Sequence, residues 1–368
     1  MTAIPPADPV EAPGARIPGR AGWRRAWTAL DERLGLSAFA YPVPRHANAL
    51  AYTLGGITLG AFLLLVATGV YLSQFYDPAP SDAHASVVAI SEADVGSIIR
   101  SVHFWLSTIF AVTLALHLLR TFVTASYKRP REATWITGVL LFGLAGGLLY
   151  SGTILKWDQE AFEALEHNTE IADLLGVLGF WFSPEFSGAL ALLTRVYIAH
   201  VSLLPVLFLG VLAVHLLLVK RHGVSPLPWG TAAEVVRRER EEERGPFTSH
   251  LVRILYWTLL VLALALLLAA IRPTGIGPEG VAGIEITKPP WYFLWLYPLE
   301  NWFGLNPLVI APGVLFAGLV ALPFLDRGAE RDPRRRRGWV ALAVLVILAW
   351  GFLTIYGFVT EPVAHVGE

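Results

Sequence analysis

Four histidines lie within long apolar stretches of this chain, His103 and His117 in one and His200 and His215 in another. The chain has no cysteine, and its one methionine is Met1. Thiolate zinc sites, iron–sulfur ligation, disulfides and thioether-attached haem are therefore excluded, and histidine must supply any metal ligation inside the apolar stretches. The first pair is 14 residues apart and the second 15. At 100° per residue, 14 steps end about 40° short of a whole number of turns and 15 steps about 60° past one. Each pair thus lies roughly on one side of its helix, with its members about 21–22 Å apart along the axis. Two histidines from two helices at one depth can fill both axial positions of a haem and leave no site open to oxygen. A lone histidine in such a stretch serves equally as a packed residue or a proton relay. Four at matched depths are far more specific.

The elements that must position them are transmembrane helices. The chain is 55% hydrophobic and 15% charged, against about a quarter charged in soluble domains. Its net charge of −1 gives no electrostatic footprint for nucleic acid. About 20 apolar residues cross a bilayer as a helix. Seven stretches qualify, at 49–75, 101–124, 134–155, 189–219, 250–271, 307–325 and 338–359, which predicts an all-α polytopic membrane protein. With the N-terminus inside, the inner segments hold 21 Lys/Arg and the outer ones 4, as the positive-inside rule requires for a cell-membrane protein. The outer segments carry acids instead: Asp77, Asp82, Glu92, Asp94, Asp158, Glu160, Glu163 and Glu166. The second and fourth spans run the same way, so His103 pairs with His200 near the outer face and His117 with His215 near the inner face. Two haems at these depths would make an electron path across the bilayer. Pro205 falls inside the longer interval and favours a kink there.

Glycines repeat the period. Gly55 and Gly69 are 14 apart in the first span, and Gly138 and Gly152 are 14 apart in the third. A glycine lets a flat macrocycle approach the backbone closely; small residues also serve helix packing in membranes. Arg100, Arg120 and Arg131, with Lys128 and Arg129 beside the last, are candidate partners for haem propionates. The inner cations satisfy the positive-inside rule as well. Residues 23–36 mix Trp, Leu and Arg at helical spacing and read as an interfacial helix. Residues 1–15, rich in Ala and Pro, read as disordered. No cleavable signal peptide or solenoid repeat is evident.

Several strings resemble cytochrome b of the Rieske–cytochrome b complexes. They are Leu54-Gly55-Gly56-Ile57-Thr58-Leu59, Arg100-Ser101-Val102-His103, His117-Leu118-Leu119-Arg120, Lys128-Arg129-Pro130-Arg131, Lys156-Trp157-Asp158-Gln159 and Leu193-Thr194-Arg195. The likeness spans about residues 25–360. The 15-residue interval and the Trp-Asp-Gln string are closer to the plastoquinol–plastocyanin reductase type. In that type the four-helix and three-helix parts are separate subunits; here they are joined. The implied division is an inner N-terminal segment (1–48), a four-helix haem-binding part (49–220), an inner loop (221–249) and a three-helix part (250–368).

The resemblance implies two non-covalent haem b groups with quinol and quinone as substrates. It implies a Rieske iron–sulfur partner, a c-type cytochrome or equivalent acceptor, and a homodimeric complex. Quinol would be oxidised near the outer face and quinone reduced near the inner face, with proton translocation. The family's outer motif, Pro-Glu-Trp-Tyr, stands here as Pro289-Pro290-Trp291-Tyr292, without its carboxylate. Glu285, Glu300 and Asp158 are candidate substitutes, or ordinary loop acids. Thr53 occupies the place of a cysteine that attaches an extra haem in the plastoquinol type. Lys220, Arg221, His222 and His250 lie near the expected inner quinone site and read equally as interfacial charge. His46, His84, His167 and His365 read as surface residues. Two other functions fit the residues: a non-bifurcating di-haem anchor, which Pro290 motivates, and a proton-coupled transporter or scaffold.

Overall fold

The computed structural model describes residues 20–35, 37 and 41–363, so 1–19 and His365 lie outside the described part. Its helices are α1 (Arg20–Leu34), α2 (Leu50–Leu72), α3 (Ala83–Glu92), α4 (Asp94–Val123), α5 (Glu132–Ile154) and α6 (Gln159–Leu175). Then come α7 (Leu192–Ile198), α8 (Leu204–His222), α9 (Ala232–Glu241), α10 (Phe247–Ile271), α11 (Tyr297–Phe303), α12 (Asn306–Leu325) and α13 (Arg337–Val359). A π turn, Ala199–Leu203, joins α7 to α8 into one span, Leu192–His222. Among the described residues seven helices are long and apolar enough to cross a membrane: α2, α4, α5, α7–α8, α10, α12 and α13. They coincide with the seven predicted stretches. α4 begins earlier than predicted, at Asp94, whose carboxylate lies in the first turn, where the helix dipole favours it.

α2 packs along α4 and α5 along α8, and α10 lies across α2 and α4. The centre is apolar: Phe62 stacks on Phe208 at 4.2 Å between centroids, with Phe110 beside them. α13 is apolar yet largely exposed, including Leu345, Leu348, Ile355 and Phe358. That is the surface a lipid-facing helix presents.

The connecting segments gather at two ends, as alternating spans require. At the predicted inner end, strand β1 (Pro42–Pro44) pairs antiparallel with β2 (Arg244–Pro246). The inner loop 221–249 thus folds in part. It also forms α9, opened by a capping box of Thr231 and Glu234. α1 occupies most of the predicted interfacial segment; residue 36 lies outside the described part. At the other end the Lys156–Gln159 turn meets the α10–α11 connection, with Asp158 accepting from Gly277 N at 3.1 Å.

The last two spans are tied to the first four by a buried charge cluster. Asp326, at the end of α12, meets Lys128 Nζ at 2.8 Å and Arg336 at 2.6 Å, and accepts from the Tyr127 hydroxyl at 2.7 Å. Asp326→Ala leaves two buried cations unpaired, which costs about 3–5 kcal/mol in comparable sites. The expected result is a lower unfolding temperature, with proteolysis between α12 and α13. An unchanged melting curve and digestion pattern would remove the cluster from the account.

Candidate functional site: two histidine levels and an outer cavity

Each of the four histidines faces a glycine on the neighbouring helix. A methyl added at Gly69 would lie 3.3 Å from His103 Cε1, and one at Gly55 2.9 Å from His117 Cε1. The corresponding distances are 3.3 Å from Gly138 to His215 and 3.0 Å from Gly152 to His200. The predicted glycine period therefore marks the histidine levels directly. The residue before three of these glycines carries a hydroxyl against the imidazole Nδ1. Thr68 reaches His103 at 2.8 Å, Ser151 reaches His200 at 2.9 Å and Thr137 reaches His215 at 3.0 Å. Fixing Nδ1 orients the ring and leaves Nε2 for a metal. The fourth unit differs, because Leu54 precedes Gly55. The sequence reading missed the hydroxyls, although the Thr-Gly and Ser-Gly pairs were visible.

His103 and His200 line one cavity, and His117 lies within electrostatic range of His215, so the structure brings together at each level the two histidines that the sequence places at that depth. The π turn explains the unequal spacing. His200 lies within it, and a π turn absorbs one extra residue in an α-helix. The 15-residue interval then returns to the phase of the 14-residue interval in α4. Among the described residues no group of three or more His, Asp or Glu gathers as a metal cluster.

One aromatic layer separates the two levels. Phe62 lies midway between Gly55 and Gly69, Phe110 midway between His103 and His117, and Ala145 midway between Gly138 and Gly152. Phe208 fills the same layer from α8, and all four belong to one buried cluster.

The outer pair opens into a cavity of about 750 Å³, largely apolar, whose wall includes His103, His200, Gly69, Gly152, Pro290, Trp291 and Tyr292. The Pro290-Trp291-Tyr292 stretch and the outer histidine level thus share one space. The Tyr292 hydroxyl lies 3.4 Å from Thr153 Oγ1, and the buried indole nitrogen of Trp291 has no hydrogen-bond partner among the described residues. The chain matches known proteins. Residues 108–278 match the family described as cytochrome b(N-terminal)/b6/petB, and 282–367 match cytochrome b(C-terminal)/b6/petD. A cytochrome b6 of Heliobacterium mobile is 36% identical over 207 residues, covering 53% of this chain and 97% of that one. The chain belongs to the cytochrome b family. A cytochrome bc complex cytochrome b subunit of Chlorobaculum thiosulfatiphilum is 33% identical over 307 residues, 79% of this chain and 70% of that one. A solved chain titled hyperthermophilic respiratory Complex III shares the fold, with a TM-score of 0.72 at 22% identity, covering 91% of each chain. Both halves of cytochrome b are present here in a single chain.

Cytochrome b implies haem b, and the residues present fit it. The glycines leave backbone clearance beside each histidine. The guanidinium of Arg120 lies 3.6 Å over the Tyr52 ring, and its buried Nε has no hydrogen-bond partner among the described residues, which suits an acceptor such as a propionate. Arg100 lines the outer cavity while donating to Thr274 O at 2.8 Å and Gly275 O at 2.7 Å. Arg131 is engaged elsewhere, donating to His222 O at 2.9 Å. Lys128 belongs to the Asp326 cluster, and Arg129 is exposed. Thr53 is fully buried and donates to Leu50 O at 2.9 Å.

The candidate acids fall in two places in this cytochrome b. Glu285 and Glu300 do not line the outer cavity. They close on His167 Nε2, at 3.3 and 2.9 Å, while His167 Nδ1 donates to Glu163 O at 2.8 Å. Asp158 caps α6, accepting from Ala161 N at 3.1 Å. Glu163 accepts from Ile286 N and Thr287 N, both at 3.0 Å, and from the Thr287 hydroxyl. α6 therefore clamps the segment that leads into Pro289. His167, expected at the surface, is instead half-buried between two acids more than 100 residues away in sequence. His46, also expected at the surface, is buried, with Nδ1 2.7 Å from Glu242 and Nε2 2.9 Å from Ser225 O. His84 is half-buried and donates to Gly277 O at 3.0 Å. At the inner end His250 lies 3.1 Å from Asn48 Oδ1, and Lys220 lies 5.6 Å over the Tyr41 ring. His222 is half-buried and Arg221 exposed.

The clamp has a pH signature. Burial works against the His167 charge, but Glu285 and Glu300 outweigh it and lift its pKa from 6.5 to about 10. A raised folded-state pKa gives stability that is full below about 6.5 and lost as pH rises through about 10. Proteolysis of the 276–296 segment is expected to accelerate between pH 9 and about 10.5. His167→Gln is expected to accelerate it already at neutral pH. Digestion that ignores both changes would show that the ion pairs do not hold this segment.

Proposed function

We propose that this cytochrome b is the di-haem membrane subunit of a bc-type quinol-oxidising complex. The observation that carries the reading is the outer cavity, which joins the His103/His200 level to Pro290, Trp291 and Tyr292. His103 with His200, and His117 with His215, hold one haem b each. Bound there, the haems supply one-electron transfer between the two levels. Gly55, Gly69, Gly138 and Gly152 leave room for the ring planes, and Thr68, Ser151 and Thr137 fix the ligand tautomers. Arg100 and Arg120 stand where propionates need cations.

Quinol occupies the outer cavity against Trp291 and Tyr292. One electron leaves to a Rieske iron–sulfur partner and on to a c-type cytochrome or equivalent acceptor. The other passes by way of the outer histidine level to the inner level and reduces quinone there. Quinol oxidation releases protons outside and quinone reduction takes them up inside. The aromatic layer of Phe62, Phe110 and Phe208 keeps the intervening space dry and packed. The basic end, with its 21 Lys/Arg, faces the inside of the cell membrane. The complex is a homodimer, as in the family.

Pro290 favours one second reading, a di-haem anchor that passes both quinol electrons along the haems without splitting them. Purification with native partners separates the two. The first reading expects one Rieske-type electron paramagnetic resonance signal per cytochrome b and quinol oxidation that reduces both acceptors. A complex without that signal, yet reducing its haems from quinol, would favour the anchor.

A further inference from the structure

The outer cavity needs a proton acceptor, because oxidising quinol to quinone releases two hydroxyl protons, and Pro290 cannot take one. We propose that Glu160, the second residue of α6, is the carboxylate that accepts a proton from quinol. This rests on the reading of the cavity as a quinol-oxidation site. Among the described residues that line the cavity, Glu160 is the one acid. The alternatives lie off the cavity wall: Glu285 and Glu300 meet His167, Asp158 caps α6 and meets Gly277, and Glu163 holds the Ile286 and Thr287 amides.

Glu160 also lines a second, more open depression beside the first, formed with Asp158, Gln159, Gly277, Pro278 and Thr287. Lys156 and Lys288 border both spaces. A proton taken inside the cavity therefore has a short way out at the acidic end. Lys156 Nζ lies 2.6 Å from Glu160 Oε2, which leaves the side chain tethered at the mouth between the two spaces.

The electrostatics agree with this placement. Burial raises the Glu160 pKa, and Lys156 opposes that rise. The charges around it are Lys156, Asp158 and Glu163 from its own turn, Lys288 and Tyr292 from the facing loop, and Arg100 and Arg272 from the ends of α4 and α10. Tyr292 is pushed up to about 12, first by burial and then by the Glu160 charge, so it stays protonated beside the carboxylate.

In the proposed step a quinol O–H bond breaks and its proton forms an O–H bond on the Glu160 carboxylate. The second hydroxyl proton leaves with the first electron to the histidine-ligated iron–sulfur partner. The second electron would pass to the haem that His103 and His200 would hold, and quinone remains. Glu160 then releases its proton through the open depression and returns to the carboxylate.

The test is Glu160→Gln in the intact complex, read by quinol turnover against pH and by the dithionite-reduced haem spectrum. Removing a general base typically costs 10²–10⁴-fold, so kcat is expected to fall at least about 100-fold. The acid limb of the pH profile should vanish, with full haem bands retained. Glu160→Asp, which keeps a carboxylate, should hold turnover within about tenfold of wild type and retain an acid limb. Wild-type turnover and an unchanged acid limb in Glu160→Gln would overturn the assignment. So would Glu160→Asp as slow as Glu160→Gln with its haem intact. A wild-type complex that oxidises no quinol would instead overturn the cavity reading itself.

Discussion

His200→Ala is expected to halve the b-type haem of the purified protein and to abolish quinol-driven reduction of what remains. His200 shares its level with His103 and no other histidine among the described residues. Removing a group one layer beyond a ligand costs about 10–100-fold in metal affinity, and removing the ligand itself costs more. The inner level draws on His117, His215, Gly55 and Gly138, none of which touches the altered residue. His215→Ala should give the mirror result, the same total haem with the other component retained. A redox titration distinguishes the two, because each variant keeps a different single transition. Full haem content in both variants would refute the assigned pairs. Ser151→Ala supplies a graded control: it keeps the ligand and removes only its Nδ1 partner, so haem should be retained with a shifted midpoint.

Glycine substitutions have the second largest expected effect, and they test geometry rather than ligation. At Gly55 an added methyl meets His117 at 2.9 Å, and at Gly152 it meets His200 at 3.0 Å. The Gly55 contact is closer than side-chain carbons come and the Gly152 contact is tighter than nearly all of them, so each imidazole must give way. The neighbouring atoms belong to a ring held by packing, which cannot yield as a flexible chain end would. Gly55→Ala should therefore weaken the inner haem and Gly152→Ala the outer one. Gly146→Ala, on the same helix as Gly152, meets nothing within 4 Å and should leave both haems unchanged. Equal behaviour of the three variants in a haem-loss assay would mean that these glycines serve helix packing instead.

The bundle was legible because bilayer length and the histidine period leave strong marks in a sequence. Histidines 14 and 15 apart on parallel spans allowed the two levels to be assigned, and the glycines marked their clearance. The unequal interval was read only as a Pro205 kink. The structure resolves it as a π turn that restores the phase of His200. α6 was missed because it is too polar to register as a span and too short to stand out in a loop. His167 was misread for a related reason. Its partners, Glu285 and Glu300, come from a distant segment folded back over α6, and local pattern carries no sign of that closure. Glu160 illustrates the same limit. In sequence it is one acid among many at the outer end, and only the cavity wall separates it from Asp158 and Glu163.

The central claim is two bis-histidine haems in one chain. The most direct measurement is haem b per polypeptide in the purified protein, read together with its low-temperature electron paramagnetic resonance spectrum. The account predicts two haems per chain, both low-spin in the oxidised state because both axial positions are filled. One haem per chain, or a high-spin signal from a haem with an open position, would contradict it.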